Sequence, residues 1–321
     1  MRGLIDRRAV VAGALGAVAA TSLGRAAENE RIRVNIIPVT DVAPLFVALR
    51  RGFFDEAKIA IDTSPSVGGA AGVPGLLGGS YDIVYSNVVS TLLAAQNKLP
   101  IEVVAPGTAF ATSKDETPGI IVRRESAIKT GRDLEGKTVA VNTRNNGPWL
   151  YFRAWIELTG GNPDKVTFRE VPFPQMDDAL RLRQVDAIFA ISPYVTIAAS
   201  QPENELIAHP YTAVQPGYNG GQYIATKAFV EANKERLDRF AKALRRGIEW
   251  YNANRDSTEL RQIIGSYTKL DQSMLQRMPL SPAPRRVDPK QMEQTMTLMI
   301  KHHILRAPLE IASLIAPSAV E

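Results

Sequence analysis

Short apolar runs alternate with segments of helical spacing along most of this chain. The runs, which are typical of buried strands, lie at residues 34–39, 59–61, 83–85, 101–105, 120–122, 138–141, 166–171 and 185–190. Between them, apolar residues recur at the three-to-four spacing of a helix over residues 44–51, 88–96, 149–158 and 175–183. Strands and helices in alternation predict an α/β fold whose sheets are mostly parallel and flanked by helices.

The pattern changes after the last of these predicted strands. Residues 209–221 are rich in Pro, Gly and Tyr, which predicts a crossover loop. Residues 227–251 then carry one long apolar stripe at helical spacing. A further helix is predicted to begin at Asp288, which can cap it, and we interpret its methionine stripe as a packing surface.

Two stretches of the chain resemble one protein family. The first, residues 34–64, has the order strand, helix, strand around the sequence PLFVALRRGFF. The second, residues 133–194, runs from DLEGKTVAVN to VPFPQMDDALRLRQVDAIFAISPY. Their order resembles the periplasmic solute-binding proteins of ABC transporters, in the branch that binds nitrate, sulfonates, taurine or thiamine precursors. The resemblance spans roughly residues 34–250.

This resemblance implies a two-domain, type II-like periplasmic-binding-protein fold with the ligand in the cleft between the domains. Residues 27–112 and 210–321 are expected to form a discontinuous first domain, on which the C-terminal helices pack. Residues 113–209 are expected to form the second domain, with a hinge near residues 110–118 and 205–215.

The first 26 residues have the pattern of an export signal. A basic start with an Arg7-Arg8 pair precedes an apolar run over residues 9–23, and small residues stand at the −3 and −1 positions of a cleavage site after Ala26. The run is shorter than the roughly 20 residues of a membrane span. The arginine pair fits twin-arginine export, and the residues around it fit general secretion. We therefore expect a cleaved signal peptide, residues 1–26, and a periplasmic protein.

The amino-acid composition further narrows the class of protein. The 321 residues include no cysteine, which excludes disulfides and the cysteine of a lipoprotein anchor, so we expect a soluble mature protein. Residues 1–26 hold four arginines and one aspartate, so the net charge of +5 falls to +2 without them. No basic block remains, and we expect a monomer with no nucleic-acid partner.

Patterns typical of catalysis and of metal binding are missing from the sequence. Cysteine is absent, and the three histidines, His209, His302 and His303, lack the spacing of a zinc site. No glycine-rich segment carries the lysine of a phosphate loop. We therefore predict that the chain is not an enzyme and uses no cofactor and no metal, while catalysis by carboxylates alone stays open.

Polar residues at predicted strand ends are the first binding candidates. Thr40, Asp41, Ser86, Asn87 and Thr108 each follow or end a strand. The ligand crevice of a parallel α/β sheet lies at these carboxyl ends. Asp41 can cap the next helix, which is the interpretation we favour, or bind an ammonium group such as that of taurine.

An anion site is predicted at the start of the helix over residues 149–158. The free N–H groups and the positive dipole end of a helix start favour negative charge. Arg144, one turn earlier, can bind a sulfonate, carboxylate or nitrate through two hydrogen bonds, or be an exposed loop arginine. Asn145 or Asn146 can cap this helix, and capping does not exclude contact with a ligand.

Aromatic residues near the predicted cleft loops can stack on a ring or enclose an alkyl chain. Tyr194 and Tyr218 are taken as ligand candidates, and ordinary packing is the competing interpretation for each member of the group. The group comprises Phe110, Trp149, Phe173, Tyr194, Tyr218 and Tyr223.

We therefore expect the substrate-binding component of an ABC importer. It would capture a small organic anion, of sulfonate, taurine or carboxylate type, by domain closure and deliver it to an inner-membrane permease. The expected partners are that solute and the permease and ATPase subunits. One alternative is a binder of a thiamine pyrimidine or other aromatic heterocycle, whose amino group Asp41 or Asn87 would recognise. The other is a fold-related enzyme or sensor.

Overall fold

The computed structural model describes residues 30–112, 117–268, 270 and 272–320. Its strands form two five-stranded sheets, ordered β2-β1-β3-β10-β4 and β7-β6-β8-β5-β9. The first sheet contains β1 (Glu30–Ile36), β2 (Ile59–Pro65), β3 (Ile83–Ser86), β4 (Ile101–Phe110) and β10 (Tyr218–Thr226). The second sheet contains β5 (Gly119–Arg123), β6 (Thr138–Val141), β7 (Thr167–Glu170), β8 (Ala187–Ala190) and β9 (Asn204–Ala208).

Strand directions are the same in both sheets. In the first, β1 pairs in parallel with β2 and β3, and β10 lies antiparallel between β3 and β4. In the second, β6 pairs in parallel with β7 and β8, and β5 lies antiparallel between β8 and β9. Each mixed sheet therefore has a single strand running against the others, and the predicted mostly parallel α/β architecture is confirmed.

Helices flank both sheets. The structure has α1 (Ala43–Arg50), α2 (Phe53–Glu56), α3 (Gly69–Leu77), α4 (Val88–Gln96), α5 (Gly147–Leu158), α6 (Met176–Arg181), α7 (Tyr194–Ala199), α8 (Pro210–Val214), α9 (Lys227–Ala232), α10 (Lys234–Ala253), α11 (Thr258–Thr268), α12 (Gln272–Arg277) and α13 (Pro289–Lys301). We call the first sheet with α1–α4 and α9–α13 the first lobe. The second sheet with α5, α6 and α7 is the second lobe.

The apolar stripe predicted in residues 227–251 is the core face of α10. Leu237, Phe240 and Leu244 are buried, and the helix packs on α1. The two helices approach so closely that a Cβ on Gly247 would lie 2.4 Å from the Pro44 carbonyl oxygen. This contact joins an early and a late segment of the chain. The predicted helical region, residues 227–251, consists of two helices, because the backbone of Asn233 leaves helical geometry between α9 and α10.

The prediction of a crossover loop at residues 209–221 is wrong. Residues 210–214 form α8, and Tyr218 begins β10, which inserts into the first sheet. The strand predicted at residues 185–190 is also expected to be the last one. That prediction is wrong, because β9 and β10 both follow it. Gly220 and Gly221 suggest a turn in sequence, yet they lie at register shifts in the pairing with β4. Irregular pairing of this kind tolerates glycines within a strand.

The last part of the described chain returns to the first lobe. Helix α13 packs against α4 and β10, with Met292 and Met299 buried, as expected for a packing surface. Ile315 forms a parallel bridge to Val103 of β4, and the Ala316 amide donates to the Val103 carbonyl at 2.9 Å. The early and late thirds of the chain therefore share one core.

The predicted signal peptide, residues 1–26, lies outside the described residues, as do residues 113–116 of the predicted hinge. Within the described ranges, no helix combines the length and apolar character that crossing a bilayer requires. The same ranges hold no cluster of three or more His, Cys, Asp or Glu residues that could bind a metal ion.

Replacing Asp288 with alanine should lower the free energy of unfolding by about 1 kcal/mol. The Asp288 carboxylate accepts a hydrogen bond from the Lys290 amide at 2.9 Å, which is the predicted cap of α13. Chemical denaturation of the purified protein measures the change. Asp288→Asn, which keeps a capping oxygen, is the matched control. Equal destabilisation by both variants would contradict a capping role.

Candidate functional site

A cavity of about 40 Å³ lies between the two lobes, at the carboxyl ends of their parallel strands. Its walls come from the loops after β1, β6, β7 and β8, from the ends of β3 and β4, from the starts of α3 and α8 and from the irregular part of β10. The carboxyl ends of parallel strands are the position expected for the ligand crevice of such sheets. The lining residues are Ile37, Asp41, Gly69, Tyr85, Ser86, Asn87, Phe110, Asn142, Asn146, Pro148, Phe173, Ile191, Tyr211 and Gly220.

Hydrogen bonds join the lobes around this cavity. The Gly147 amide at the start of α5 donates to Asn87 Oδ1 of the first lobe at 3.0 Å. The Thr40 amide donates to the Ser192 carbonyl at 3.0 Å, and the Thr40 hydroxyl donates to the same oxygen at 3.3 Å. Since each bond crosses the cleft, the structure has the lobes closed on one another. Thr40 therefore contacts the other lobe and is not part of the lining.

Asp41 carries the negative charge of the site. Its Oδ2 accepts hydrogen bonds from Thr108 Oγ1 at 3.1 Å and from Tyr85 OH at 3.4 Å. Burial raises the pKa of Asp41 to about 6, and the hydrogen bonds from Thr108 and Tyr85 only partly oppose that rise. Burial and the neighbouring Asp41 raise the pKa of Tyr85 well above its ordinary value, so Tyr85 stays neutral at physiological pH.

The prediction that Asp41 caps the following helix is wrong. The N-cap of α1 is Val42, and no side chain accepts a hydrogen bond there. Asp41 lies one residue earlier, inside a 3-10 turn over Thr40–Val42. Its carboxylate turns towards the hydroxyl groups of β3 and β4, where it lies at the cavity wall.

The described lining residues include no Lys, Arg or His. Arg144 is exposed, and the structure does not bring it to the cavity. Its guanidinium donates to the Phe168 carbonyl, and its amide donates to Glu170 Oε1 at 2.6 Å. Asn145 is also exposed, with a φ of 54°, and lies outside the lining. Arg144 as an anion ligand stays a prediction for which this arrangement supplies no contact.

Asn146 caps α5 and also lies in the cavity wall. Its Oδ1 accepts from the Trp149 amide at 3.0 Å, so the predicted cap of α5 is confirmed. Its amide nitrogen donates to Asn142 Oδ1 at 2.8 Å and to Thr143 Oγ1 at 2.7 Å. These bonds fix the Asn146 side chain in the cavity wall beside the start of α5.

The start of α3 forms the opposite wall. A Cβ on Gly69 would lie 2.6 Å from the Ser86 Cα, so only glycine lets this helix approach β3 so closely. The Ser86 hydroxyl is buried and has no hydrogen-bond partner in the described structure. It is a polar group that a solute can satisfy, since unpaired buried hydroxyls are costly.

The predicted aromatic residues separate into two sets. Phe110 and Phe173 line the cavity, and Tyr194 stacks on Phe173 with ring centroids 5.9 Å apart. Tyr218 is fully buried behind the wall, and a Cβ on Gly147 would lie 2.7 Å from its hydroxyl oxygen. The others pack elsewhere, with Trp149 against Phe168 and Tyr223 against Tyr85.

Sequence reasoning missed several lining residues. Asn142 directly follows β6, so the strand-end rule that selected Ser86 and Asn87 could have found it. Tyr85 gave no such signal, because it lies inside an apolar run typical of a buried strand. Tyr211 was hidden within the residues interpreted as a crossover loop.

The two mixed sheets and the closed cleft between them define a two-lobed protein with the periplasmic-binding-protein fold. The chain belongs to the NMT1/THI5-like family, whose model matches residues 39–257. The resemblance to this group of binding proteins, which the sequence motifs indicated, is therefore confirmed.

Among curated proteins, the chain is similar to the nitrate/nitrite binding protein NrtA of Nostoc sp. strain PCC 7120. The two are 26% identical over 184 residues, which cover 52% of this chain and 42% of the relative. A second similarity, 25% over 219 residues, is to the nitrate import ATP-binding protein NrtC of Synechocystis sp. strain PCC 6803, covering 63% of this chain and 32% of that protein. The chain thus spans less than half the length of these curated relatives.

Solved structures share the fold at lower identity. The alkanesulfonate-binding protein SsuA of Xanthomonas axonopodis pv. citri, bound to MOPS, aligns with a TM-score of 0.76 and 16% identity, covering 90% of this chain and 99% of that one. The periplasmic nitrate-binding protein NrtA of Synechocystis PCC 6803 aligns with a TM-score of 0.77 and 14% identity, covering 90% and 86%.

Proposed function

We propose that this chain is the solute-binding component of an ABC importer and encloses a small organic solute between its lobes. The observation that carries this proposal is the closed cavity, whose polar walls come from both lobes and whose margins are joined by hydrogen bonds across the cleft. A site built in two halves favours capture by closure, because the solute completes contacts that neither lobe makes alone.

The solute is a sulfonate or carboxylate that also carries an amino group, as taurine does. An amino group is required because Asp41 is a carboxylate with no cationic partner among its described neighbours. The acceptor oxygens of the solute would meet the start of α3, the Ser86 hydroxyl and the Asn142 and Asn146 side chains. Anions bind at helix starts through N–H groups and the helix dipole.

An aminopyrimidine is the second candidate, favoured by the aromatic walls. Phe110, Phe173, Tyr85 and Tyr211 line the cavity together with Asp41. Aromatic rings stack on such walls, and the carboxylate would accept from the exocyclic amino group. Both candidates use Asp41 in the same way, and both leave the solute chemically unchanged.

The proposed localisation, partners and domain limits follow from the same proposal. The chain would be exported by a cleaved signal peptide, residues 1–26, and act in the periplasm as a monomer with a permease and ATPase subunits. We propose domain limits of 27–112 with 210–321 for the first domain and 113–209 for the second, since the strands of each sheet come from these ranges.

Matched pairs of solutes test the function directly. Thermal shift and calorimetry would compare taurine with ethanesulfonate and 4-aminopyrimidine with pyrimidine. Nitrate would be tested alone, as an anion without an amino group. A bound solute at 100 times its dissociation constant should stabilise the protein by about 2.7 kcal/mol. We expect binding only by the amine-bearing member of a pair, and mass spectrometry should recover it unchanged. Absence of binding across the panel, or conversion of a solute, would overturn the proposal.

A further inference from the structure

A second cavity of about 370 Å³ adjoins the first. The two share the side chains of Ile37 and Phe173, which therefore separate an inner chamber from an outer groove. The outer groove is lined by Ile37, Pro38, Pro65, Ser66, Val67, Pro172, Phe173, Pro174, Gln175 and Tyr194. Both lobes contribute to it, so closure shapes the groove as well as the inner chamber.

The inner chamber is small. One water needs roughly 10–15 Å³ of such a cavity, so the 40 Å³ of the closed form holds about three water-sized groups. That space takes the polar head of a solute, and the part of a larger solute beyond its head extends between Ile37 and Phe173 into the outer groove.

The outer groove is apolar. Four of its lining residues are prolines, and Tyr194 stacks on Phe173 with an angle of 9° between the ring planes. Val67, one of the apolar lining residues, keeps 55% of its surface exposed. The Ser66 hydroxyl is already engaged with the Ile36 and Gly68 carbonyls, and no charged side chain is among the described lining residues.

We propose that the solute has a head and a tail. Its head carries a primary amino group and lies beside Asp41 in the inner chamber. Its tail is an alkyl chain that lies in the outer groove between the prolines and the Phe173–Tyr194 stack. This inference rests on the proposed function, and adds to it that the apolar part of the solute determines affinity.

A homologous series of n-alkylamines, from methylamine to octylamine, tests the tail by calorimetry at pH 8. Each methylene that enters the groove should tighten binding by about fourfold. Tyr194→Ala should flatten this dependence on chain length and leave methylamine unchanged. Asp41→Asn should weaken every amine by a similar factor and leave the dependence on length intact. Phe229→Ala is the control, because Phe229 lies in α9 at the other edge of the first sheet.

The outcomes separate this inference from the proposed function. Affinity that is independent of tail length, with taurine or an aminopyrimidine still bound, overturns the tail assignment alone. Alkanesulfonates that bind more tightly than the matched alkylamines overturn the head assignment. If Tyr194→Ala loses methylamine binding, Phe173→Ala provides the second test, and an unchanged length dependence there also overturns the tail assignment.

Discussion

Asp41→Asn should make the ligand-free protein more stable at pH 8 by about 3 kcal/mol and leave it unchanged at about pH 3. Burial raises the pKa of Asp41 from 3.8 to about 6 in the folded state. Above pH 6 the carboxyl is charged in both states, and the folded state bears the cost of burying that charge. Below about pH 3 it is mostly protonated in both states, so the cost disappears. The stability of the wild-type protein should therefore fall as pH rises between these values.

Denaturant unfolding of both proteins from about pH 3 to pH 8 measures this difference. Asp133→Asn is the control of opposite sign, because hydrogen bonds from the Lys129 and Thr130 amides hold the pKa of Asp133 below its usual value. That variant should be less stable than the wild type above pH 4, with the difference lost as pH falls. Parallel curves for the wild type and Asp41→Asn at every pH would show that burial of Asp41 has no energetic consequence.

The charge on Asp41 costs stability in the free protein, and this cost would favour binding of a solute that neutralises it. The structure gives it hydroxyl donors from Thr108 and Tyr85 and no cation among the described residues. A solute that supplies the missing positive charge or N–H donors removes that cost on binding. Part of the binding free energy is therefore stored in the free protein as destabilisation, as is common at functional sites.

The fold could be predicted because its signals are local and repeated. Each apolar run and each helical stripe predicted within residues 34–190 corresponds to an element, and the strand-end rule located Asp41, Ser86 and Asn87 at the cavity. The rule succeeds because parallel strands bring their carboxyl ends to one edge, whatever the loops contain.

The site could be predicted only in part because side-chain direction is a tertiary property. Arg144 and Asn146 lie two residues apart, yet only Asn146 faces the cavity, since Arg144 finds acceptors in the Phe168 carbonyl and in Glu170. The position of β10 in the first sheet was not predicted, for another reason. Its partners in the first sheet are more than 100 residues earlier, and no local pattern encodes pairing at that distance.

Asn87→Ala should weaken binding of any solute by about 10- to 100-fold. The Asn87 side chain accepts from the Ser90 amide, which caps α4, and from the Gly147 amide across the cleft, each at 3.0 Å. Without it the Gly147 N–H is buried and unpaired in the closed form, a cost of about 1–3 kcal/mol. The open form keeps that N–H in water, so the variant disfavours closure. Calorimetry gives the affinity, and small-angle scattering gives the share of open molecules.

Thr226→Ala separates closure from simple loss of a helix cap. Thr226 caps α9 by accepting from the Phe229 amide at 3.1 Å, and it makes that contact at the edge of the first sheet away from the cavity. Both variants should lose about 1 kcal/mol of unfolding free energy through the cap. Only Asn87→Ala should also lower affinity and enlarge the scattering radius of the ligand-free protein. Equal affinities for the two variants would mean that the bond between Asn87 and Gly147 does not hold the lobes closed.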